Sequence, residues 1–223
     1  MDGGAIAVDR ALAILRILTN SPSMLSLAEL SEKSGLYKST ILRLIASLEG
    51  VKLVKKNAAG TYGLGTEVLV LSRAYKSQNN LSQLVIPILE SLVKLTNESA
   101  AFHVIQNKHR LCLYRIDSSQ LLRDHVKVGD LLPLNQGTGG RILLAFSGAK
   151  GKIYDEARKS KVIALSGDRV KELSGISAPV RDADNQLLGA LTLTMPSDRF
   201  KAKLANIVKL KAKELTEALG GEF

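Results

Sequence analysis

The chain has 223 residues, a formal net charge of +10 from 31 basic and 21 acidic side chains, and one cysteine. This length suffices for two domains that each bury a core, while the single cysteine excludes a disulfide framework within the chain. The positive charge favours a polyanion as partner, but it does not identify the function because it is spread over both halves of the sequence.

The first predicted element is an amphipathic helix over residues 5–18. Its apolar face carries Val8, Ala11, Leu12, Leu15 and Leu18. No apolar run resembling a signal peptide stands at the start, and no segment approaches the roughly 18 uninterrupted apolar residues of a membrane-spanning helix. We therefore expect a soluble protein of the cytoplasm without a membrane partner.

Residues 26–64 predict a helix, a short turn, a second helix and a basic β-hairpin, which together form a helix-turn-helix with a wing. Ser26 can cap the first helix while Glu29 reaches back to the amide of the cap. Gly35 supplies the left-handed residue that ends this helix. One apolar stripe on the second helix is formed by Ile41, Leu44, Ile45 and Leu48.

The exposed face of the second helix is polar and nearly free of acidic groups. Hydroxyl side chains at a helix start let the backbone approach phosphates, and one arginine a turn later can read a base edge with a two-pronged hydrogen bond. These features are typical of a recognition helix in the major groove. The candidate DNA contacts on this face are Lys38, Ser39, Thr40, Arg43 and Ser47.

A basic hairpin follows the second helix. Lys55 and Lys56 precede a turn at residues 57–60, and Thr61 and Tyr62 begin the return strand. Periodicity alone would also fit an ordinary helical hairpin with a solvated face, and two lysines often do no more than solvate a strand edge. Their position directly after the second helix favours a wing that contacts DNA.

The remaining elements predict a second domain that mixes helices and strands. A helix from Glu67 to about Lys76 ends in the polar run 76–80, where we place the linker. The next helix, at residues 81–95, is expected to turn Leu84, Ile88, Leu92 and Leu95 inward. Predicted strands lie at residues 101–106, 111–116, 122–128, 176–180 and 187–195, and predicted helices at 152–159 and 200–219. This order indicates an α+β sensor-like domain.

A glycine-rich loop at residues 134–140 leads into a helix that is expected to begin at about Arg141. Bare amides and the positive end of the helix would then face one point, which forms an anion site. Gly139 and Gly140 permit close approach of a small carboxylate, and Thr138 adds a hydroxyl donor. A P-loop is excluded because no lysine followed by Ser or Thr comes after the last glycine. A glycine-rich turn that only caps the helix remains the alternative.

Short segments spread over most of the chain form a pattern that is more specific than any one of them. They are residues 8–15, 26–30, 35–40, 43–44, 61–65, 133–134, 140–141, 144–145 and 177–180. Together they resemble the IclR-type transcriptional regulators. The resemblance implies a winged helix-turn-helix domain at 1–66, a linker helix at 67–80 and a GAF-like effector-binding and oligomerisation domain at 81–223. It also adds Arg10 to the expected DNA contacts.

The resemblance implies a ligand pocket in the second domain. The period of a strand puts Thr192 and Thr194 on one face, and the matching family positions point small polar groups at the effector. A threonine-rich exposed strand is the alternative. Matching segments add Gly175 and Ser177 to the expected ligand contacts. Asp168 lies in a loop that matches the pocket wall, and since it would repel a carboxylate we expect it to hold backbone amides or Arg169.

One departure from the family concerns the stretch between Ala145 and the loop that contains Asp168. Family members have a longer stretch there, whereas residues 147–150 of this chain run almost directly into the next helix. About one helix and its loops are missing by this comparison. The pocket wall of this chain is therefore expected to be reduced.

Catalytic chemistry finds little support in the sequence. His103, His109 and His125 are scattered among predicted strands and turns without a metal-binding motif, and no G-x-S-x-G nucleophile elbow occurs. Cys112 alternates with apolar neighbours, which favours packing over a nucleophilic role. We expect no catalytic residue, no metal and no cofactor.

The sequence therefore predicts a repressor that binds double-stranded operator DNA as a homodimer or homotetramer and responds to a small organic-acid effector. An activator of the same family is one alternative, since the sequence does not encode the direction of the response. An effector-blind DNA-binding protein whose second domain only oligomerises is another. An enzyme that carries a winged domain is the third.

Overall fold

The computed structural model describes residues 4–78 and 80–223. The chain divides into two compact units, Met1–Asn79 and Asn80–Phe223. Asn79, which belongs to the predicted linker, and the first three residues of the predicted DNA-binding domain lie outside the described residues. The predicted α+β fold, with a helix-turn-helix region followed by an antiparallel sheet domain, is confirmed. Among the helices that are described, none is long and apolar enough to cross a membrane.

The first unit begins with the elements that the local sequence signals predicted. They are α1 (Ile6–Thr19), α2 (Leu27–Ser34), α3 (Lys38–Gly50), β1 (Val54–Lys56), β2 (Tyr62–Leu64) and α4 (Glu67–Gln78). The capping box of α2 is confirmed: the Ser26 amide donates to Glu29 Oε2 at 2.7 Å, and the Glu29 amide donates to Ser26 Oγ at 3.3 Å. Gly35 ends α2 with a φ of 68°, so the chain turns sharply into α3.

The core of the first unit is a small apolar cluster between α1, α2, α3 and the hairpin. Its fully buried members include Ile14, Leu30, Ile41 and Ile45. The predicted stripe of α3 is thus confirmed, but the predicted face of α1 is partly wrong, because Val8 and Leu12 are at least half exposed. The residues of α1 that reach the core are Ala11, Ile14, Leu15, Ile17 and Leu18.

The hairpin β1–β2 pairs antiparallel, with Lys56 opposite Tyr62. Gly60 has a φ of 79°, which the turn requires. The Tyr62 amide also donates to the Leu25 carbonyl at 2.7 Å, and the Leu25 amide donates to the Tyr62 carbonyl at 2.9 Å. This bridge, which the sequence did not predict, ties the hairpin to the segment before α2.

The second unit is built on one antiparallel sheet with strands in the order β5-β4-β3-β8-β7-β6. Its strands are β3 (Ser99–Gln106), β4 (His109–Ile116), β5 (Leu131–Pro133), β6 (Ile163–Ser166), β7 (Leu173–Arg181) and β8 (Leu187–Pro196). Its helices are α5 (Leu81–Thr96), α6 (Gly137–Phe146), α7 (Lys152–Ser160) and α8 (Leu204–Ala218), with a 3-10 helix at Ser197–Arg199.

The sheet is covered on both faces. Phe102, Ile176, Leu191 and Leu193 point to one face, where they form the main core with α5 and α8. Ala190, one residue before Leu191, belongs to a second cluster with α6 and α7. Because successive strand residues point to opposite faces, Ser177 of β7 and Thr192 and Thr194 of β8 lie on the α6 side of the sheet.

Four expectations about the second unit are wrong in detail. Leu84 and Leu95 of α5 are exposed, and Val85 and Leu89 are buried in their place. Residues 122–128 form no strand, because Asp124 in that segment is fixed by arginine side chains and not by a strand ladder. Helix α6 begins at Gly137, a turn earlier than expected. The last helix begins at Leu204, after the 3-10 turn.

Candidate DNA-binding face and ligand pocket

The exposed face of α3 carries the predicted DNA contacts. Ser39, Arg43 and Ser47 are exposed and Thr40 is half-buried, while Ile41 and Ile45 on the opposite side fill the core. The Ser47 hydroxyl donates to the backbone carbonyl of Arg43 at 3.5 Å. This hydrogen bond does not involve the Arg43 guanidinium. A flat polar face with one long cationic side chain is suited to a DNA groove.

Further predicted DNA contacts are also exposed: Arg10 on α1, Lys38 at the start of α3 and Lys55 on β1. Lys56 is exposed as well, and its Nζ lies 5.5 Å from the centre of the Tyr62 ring. Tyr37 was missed by the sequence reasoning, although it is 84% exposed directly before α3. An aromatic residue directly before a predicted recognition helix is the sequence signal that could have revealed it.

The second unit contains a small cavity of about 40 Å³ between the sheet and the start of α6. Five of the seven predicted ligand contacts line it, and these are Thr138, Gly139, Gly175, Thr192 and Thr194. The other two lie behind the lining. A Cβ on Gly140 would meet the Leu134 carbonyl oxygen at 2.3 Å, and Ser177 is fully buried beneath the lining hydroxyls.

The hydroxyl groups beside the cavity form a connected chain. Thr138 Oγ1 and Ser177 Oγ are 2.8 Å apart, and the Ser177 hydroxyl donates to Thr192 Oγ1 at 2.9 Å. Thr192 Oγ1 also lies 3.3 Å from His103 Nδ1. This chain fixes the rotamers of the buried hydroxyls and leaves a polar wall for a ligand.

Asp168 fastens the start of α6. Its carboxylate accepts from the Gly137 amide at 2.6 Å and forms a two-pronged ion pair with Arg141 at 2.6 and 2.8 Å. The hydrogen bonds from Arg141 are the main cause that lowers the pKa of Asp168. The expected contact with a backbone amide is present, but the arginine partner is Arg141 and not Arg169, which points instead to Asp124 at 3.4 Å.

Ionisable side chains that were not among the predicted ligand contacts also line the cavity: His103, Arg110, Arg115, Asp124 and Arg169. Arg110 is only 4% exposed. Burial, and then the neighbouring Arg169, lower its pKa to about 10, so the guanidinium is still cationic at neutral pH. Its Nε has no hydrogen-bond partner within the part of the chain that is described.

His103 adds a neutral group to this wall. Burial, and then the nearby Arg110, hold the pKa of His103 well below its usual 6.5. The ring is therefore uncharged at neutral pH and can offer one donor and one acceptor. A buried cation, a helix amino terminus and neutral polar groups that face one cavity form an environment suited to an anion.

Within the described part of the chain, neither a metal site nor an activated thiol accompanies this pocket. In residues 4–78 and 80–223, no group of three His, Cys, Asp or Glu side chains is placed to hold a metal ion. Cys112 is buried, and burial is the main cause that raises the pKa of its thiol to about 11. The thiol is therefore protonated at neutral pH and packs in the small cluster with Ala101 and Val126.

Comparison with known families gives one consistent result. Residues 7–58 match the family described as IclR helix-turn-helix domain, and residues 73–164 match the family described as bacterial transcriptional regulator IclR C-terminal. The DNA-binding transcriptional repressor YiaJ of Escherichia coli is 28% identical to this chain over 86% of this chain and 73% of its own length.

Solved structures share the fold. The IclR transcriptional regulator from Alicyclobacillus acidocaldarius gives a TM-score of 0.84 at 18% identity and covers 98% of this chain and 100% of its own. An IclR homolog from Microbacterium hydrocarbonoxydans, solved in complex with 4-hydroxybenzoate, also gives 0.84 at 18% identity and covers 96% of this chain and 98% of its own.

Proposed function

This chain belongs to the IclR family of transcriptional regulators, and on that basis we propose that it is a cytoplasmic repressor whose binding to operator DNA is controlled by a small organic acid. The observation that carries this proposal is that one chain has both an exposed polar face on α3 in its first unit and a cationic cavity in its second unit. We assign the DNA contacts to Arg10, Lys38, Ser39, Thr40, Arg43, Ser47, Lys55 and Lys56.

The effector site is assigned to the cavity between α6 and the sheet. Thr138, Gly139, Gly175, Thr192 and Thr194 are the proposed direct contacts, with Gly140 and Ser177 as their support. The buried cation beside the start of α6 supports an acidic ligand. The 4-hydroxybenzoate complex of the Microbacterium protein supports the same class of effector, since that ligand is a small organic acid.

We assign a homodimer, or a tetramer made of two dimers, as the DNA-binding form. A single recognition helix covers only a few base pairs, so specific binding requires two half-sites and two copies. Exposed apolar side chains on two helices of the first unit support self-association, and these are Ile6, Val8, Leu12, Leu69 and Leu71.

Two measurements test the function. Selection of bound duplexes from a random pool should yield a pseudo-palindromic operator whose half-sites are about one helical turn, or a multiple of it, apart. A melting-temperature screen of small carboxylates should then find an acid that stabilises the protein and weakens operator binding. Tighter operator binding with the acid would favour an activator, and stabilisation by none of the acids would favour the effector-blind alternative.

Lys56 provides a test of the hairpin as a phosphate contact. Lys56→Ala should lower the slope of log affinity against log salt by about one unit, since one phosphate contact releases about one counterion. Fluorescence anisotropy of a labelled operator at several salt concentrations measures this slope. Lys108→Ala, which removes an exposed lysine from the turn between β3 and β4, should leave the slope unchanged. An unaltered slope in Lys56→Ala would remove this residue from the DNA contacts.

Thr194 provides a test of the pocket. Thr194→Val keeps the shape of the side chain but removes a hydroxyl donor, which should weaken binding of the acid found in the screen by roughly tenfold or more. Calorimetric titration measures this affinity, and Thr194→Ser should restore most of it because the hydroxyl returns. Operator binding without the acid should stay unchanged. Equal affinity of Thr194→Val and the wild type would exclude Thr194 from the ligand contacts.

A further inference from the structure

The cations around the cavity differ in how they are neutralised. Arg141 is paired with Asp168, and Arg169 with Asp124 at 3.4 Å. Arg115 is paired with Asp124 and, at 2.7 Å, with the half-exposed Asp117.

Arg110 is the exception among the arginines that line the cavity. No carboxylate in the described residues forms an ion pair with it. Its side chain is nevertheless withdrawn from water. Since a buried cation without a counter-charge is costly, a ligand that supplies the missing charge gains a large share of its affinity there.

The guanidinium of Arg110 lies against the first turn of α6. A Cβ on Gly137 would be 3.0 Å from Arg110 Nη2, and a Cβ on Gly139 would be 3.2 Å from Arg110 Nη1. The Cβ on Gly139 would also be 2.9 Å from Thr192 Oγ1 and 3.4 Å from His103 Nδ1. A guanidinium, a hydroxyl and an imidazole therefore converge at the amino terminus of a helix of 10 residues.

The rest of the lining is mostly polar. The uncharged polar side chains that line it are Thr138, Ser174, Thr192, Thr194 and the neutral His103, and the apolar ones are Val126, Leu165 and Leu173. Thr138, Thr192 and Ser174 already bond to neighbouring hydroxyl groups. An aromatic or long aliphatic ligand would nevertheless place apolar surface against Thr194 and against the remaining hydrogen-bonding positions of these hydroxyls. A ligand that carries hydroxyl groups of its own can satisfy them.

On the basis of the effector-controlled function above, we propose that the effector is a small polyhydroxylated carboxylic acid. Its carboxylate pairs with Arg110 at the start of α6, and its hydroxyl groups bind the Thr138, Thr192 and Thr194 side of the cavity. Arg110 thus selects the charge of the ligand, and the hydroxyl wall selects a hydroxy acid over an aromatic or aliphatic one.

Matched acids test this selectivity on the full-length protein. Calorimetric titrations would compare glycerate, erythronate and gluconate with propionate, butyrate and hexanoate, which lack the hydroxyl groups, and with the uncharged gluconamide and the aromatic benzoate. We expect at least one hydroxy acid to bind tenfold or more tightly than its hydroxyl-free partner, than gluconamide and than benzoate. Tighter binding of benzoate or a plain fatty acid would overturn this inference and leave the proposed function intact. Failure of every acid would overturn both.

Variants of Arg110 test the anchor. Arg110→Met should weaken binding of the best hydroxy acid at least tenfold and should raise the melting temperature of the ligand-free protein, because it removes a buried cation that has no partner. Arg199→Met is the contrast: it breaks an ion pair with the buried Glu98 at 2.6 Å, so it should lower the melting temperature and leave acid binding unchanged. A melting temperature of Arg110→Met below that of the wild type, or failure to fold, would show a structural role and overturn the assignment.

Discussion

Replacement of Gly139 by alanine should nearly abolish effector binding while the protein stays folded. The added methyl group would lie 2.9 Å from Thr192 Oγ1 and 3.2 Å from Arg110 Nη1, which is where the ligand carboxylate is proposed to approach the helix. The ligand would lose hydrogen bonds to a charged group and meet an occupied volume, so affinity should fall by at least about 2 kcal/mol, roughly 30-fold.

The stability of Gly139→Ala should fall only modestly. Gly139 lies inside α6 and is not among the residues with positive φ, so alanine suits its backbone and raises helix propensity. The nearest atom to the new methyl group is the hydrogen-bonded Thr192 Oγ1 at 2.9 Å, which must shift. This shift costs stability that the gain in helix propensity partly offsets. Calorimetric titration of the acid and a thermal melt measure the two quantities separately.

Gly140→Ala is the matched control for this prediction. Its methyl group would meet the backbone carbonyl of Leu134 at 2.3 Å, and a backbone atom cannot yield without displacing the start of α6. Gly140→Ala should therefore lower the melting temperature further than Gly139→Ala does. If Gly139→Ala bound the acid as tightly as the wild type, the start of α6 would not be the ligand site.

The first unit could be predicted in detail because its signals are local. The capping box of Ser26 and Glu29 and the left-handed Gly35 each act within one turn of the chain. The stripe of Ile41, Ile45 and Leu48 then decides which face of α3 is exposed. The bridge between Leu25 and Tyr62 was not predicted, since it joins residues that only the folded hairpin brings together.

The cavity depends on contacts that are distant in sequence. From the sequence alone, Arg110 would be expected to be a solvated residue, because it follows a turn. In the structure, β4 pairs with β3, and Arg110 lies beside α6. The direction of His103 follows from the strand period, since it alternates with Phe102 of the main core, but its contacts with Thr192 and Gly139 come from distant segments. The segment 122–128 was predicted to be a strand, but Asp124 inside it is held by Arg115 and Arg169. Such ion pairs leave no periodic signal in the sequence.

The threonines of β8 were predictable in orientation but not in partners. Leu191 and Leu193 enter the main core, and this forces Thr192 and Thr194 toward the α6 side of the sheet. The chain of hydroxyls from Thr138 through Ser177 to Thr192 forms only where α6, β7 and β8 pack together in the folded domain. The role of these hydroxyls in ligand binding stays a prediction, which the Thr194 and Gly139 variants address.

Replacement of Arg43 by alanine should remove most of the sequence preference of the protein. Arg43 is exposed on the face of α3 opposite the buried Ile41 and Ile45, and a two-pronged contact from arginine to a guanine edge contributes about 1 to 3 kcal/mol of discrimination. Affinity for the operator should therefore fall roughly 5- to 150-fold, while affinity for random duplex of equal length should change little. Anisotropy titrations of both duplexes at one salt concentration give the ratio.

Arg43→Lys separates base reading from phosphate binding at the same position. Lysine keeps the positive charge but lacks the planar fork, so it would replace arginine at a phosphate and not at a guanine edge. We therefore expect Arg43→Lys to lose operator preference nearly as far as Arg43→Ala while it retains affinity for random duplex. The stability of both variants should match the wild type, since the side chain lies outside the core. Equal losses on operator and random duplex in Arg43→Ala, with full recovery in Arg43→Lys, would assign Arg43 to the phosphate backbone and leave sequence reading to other residues of α3.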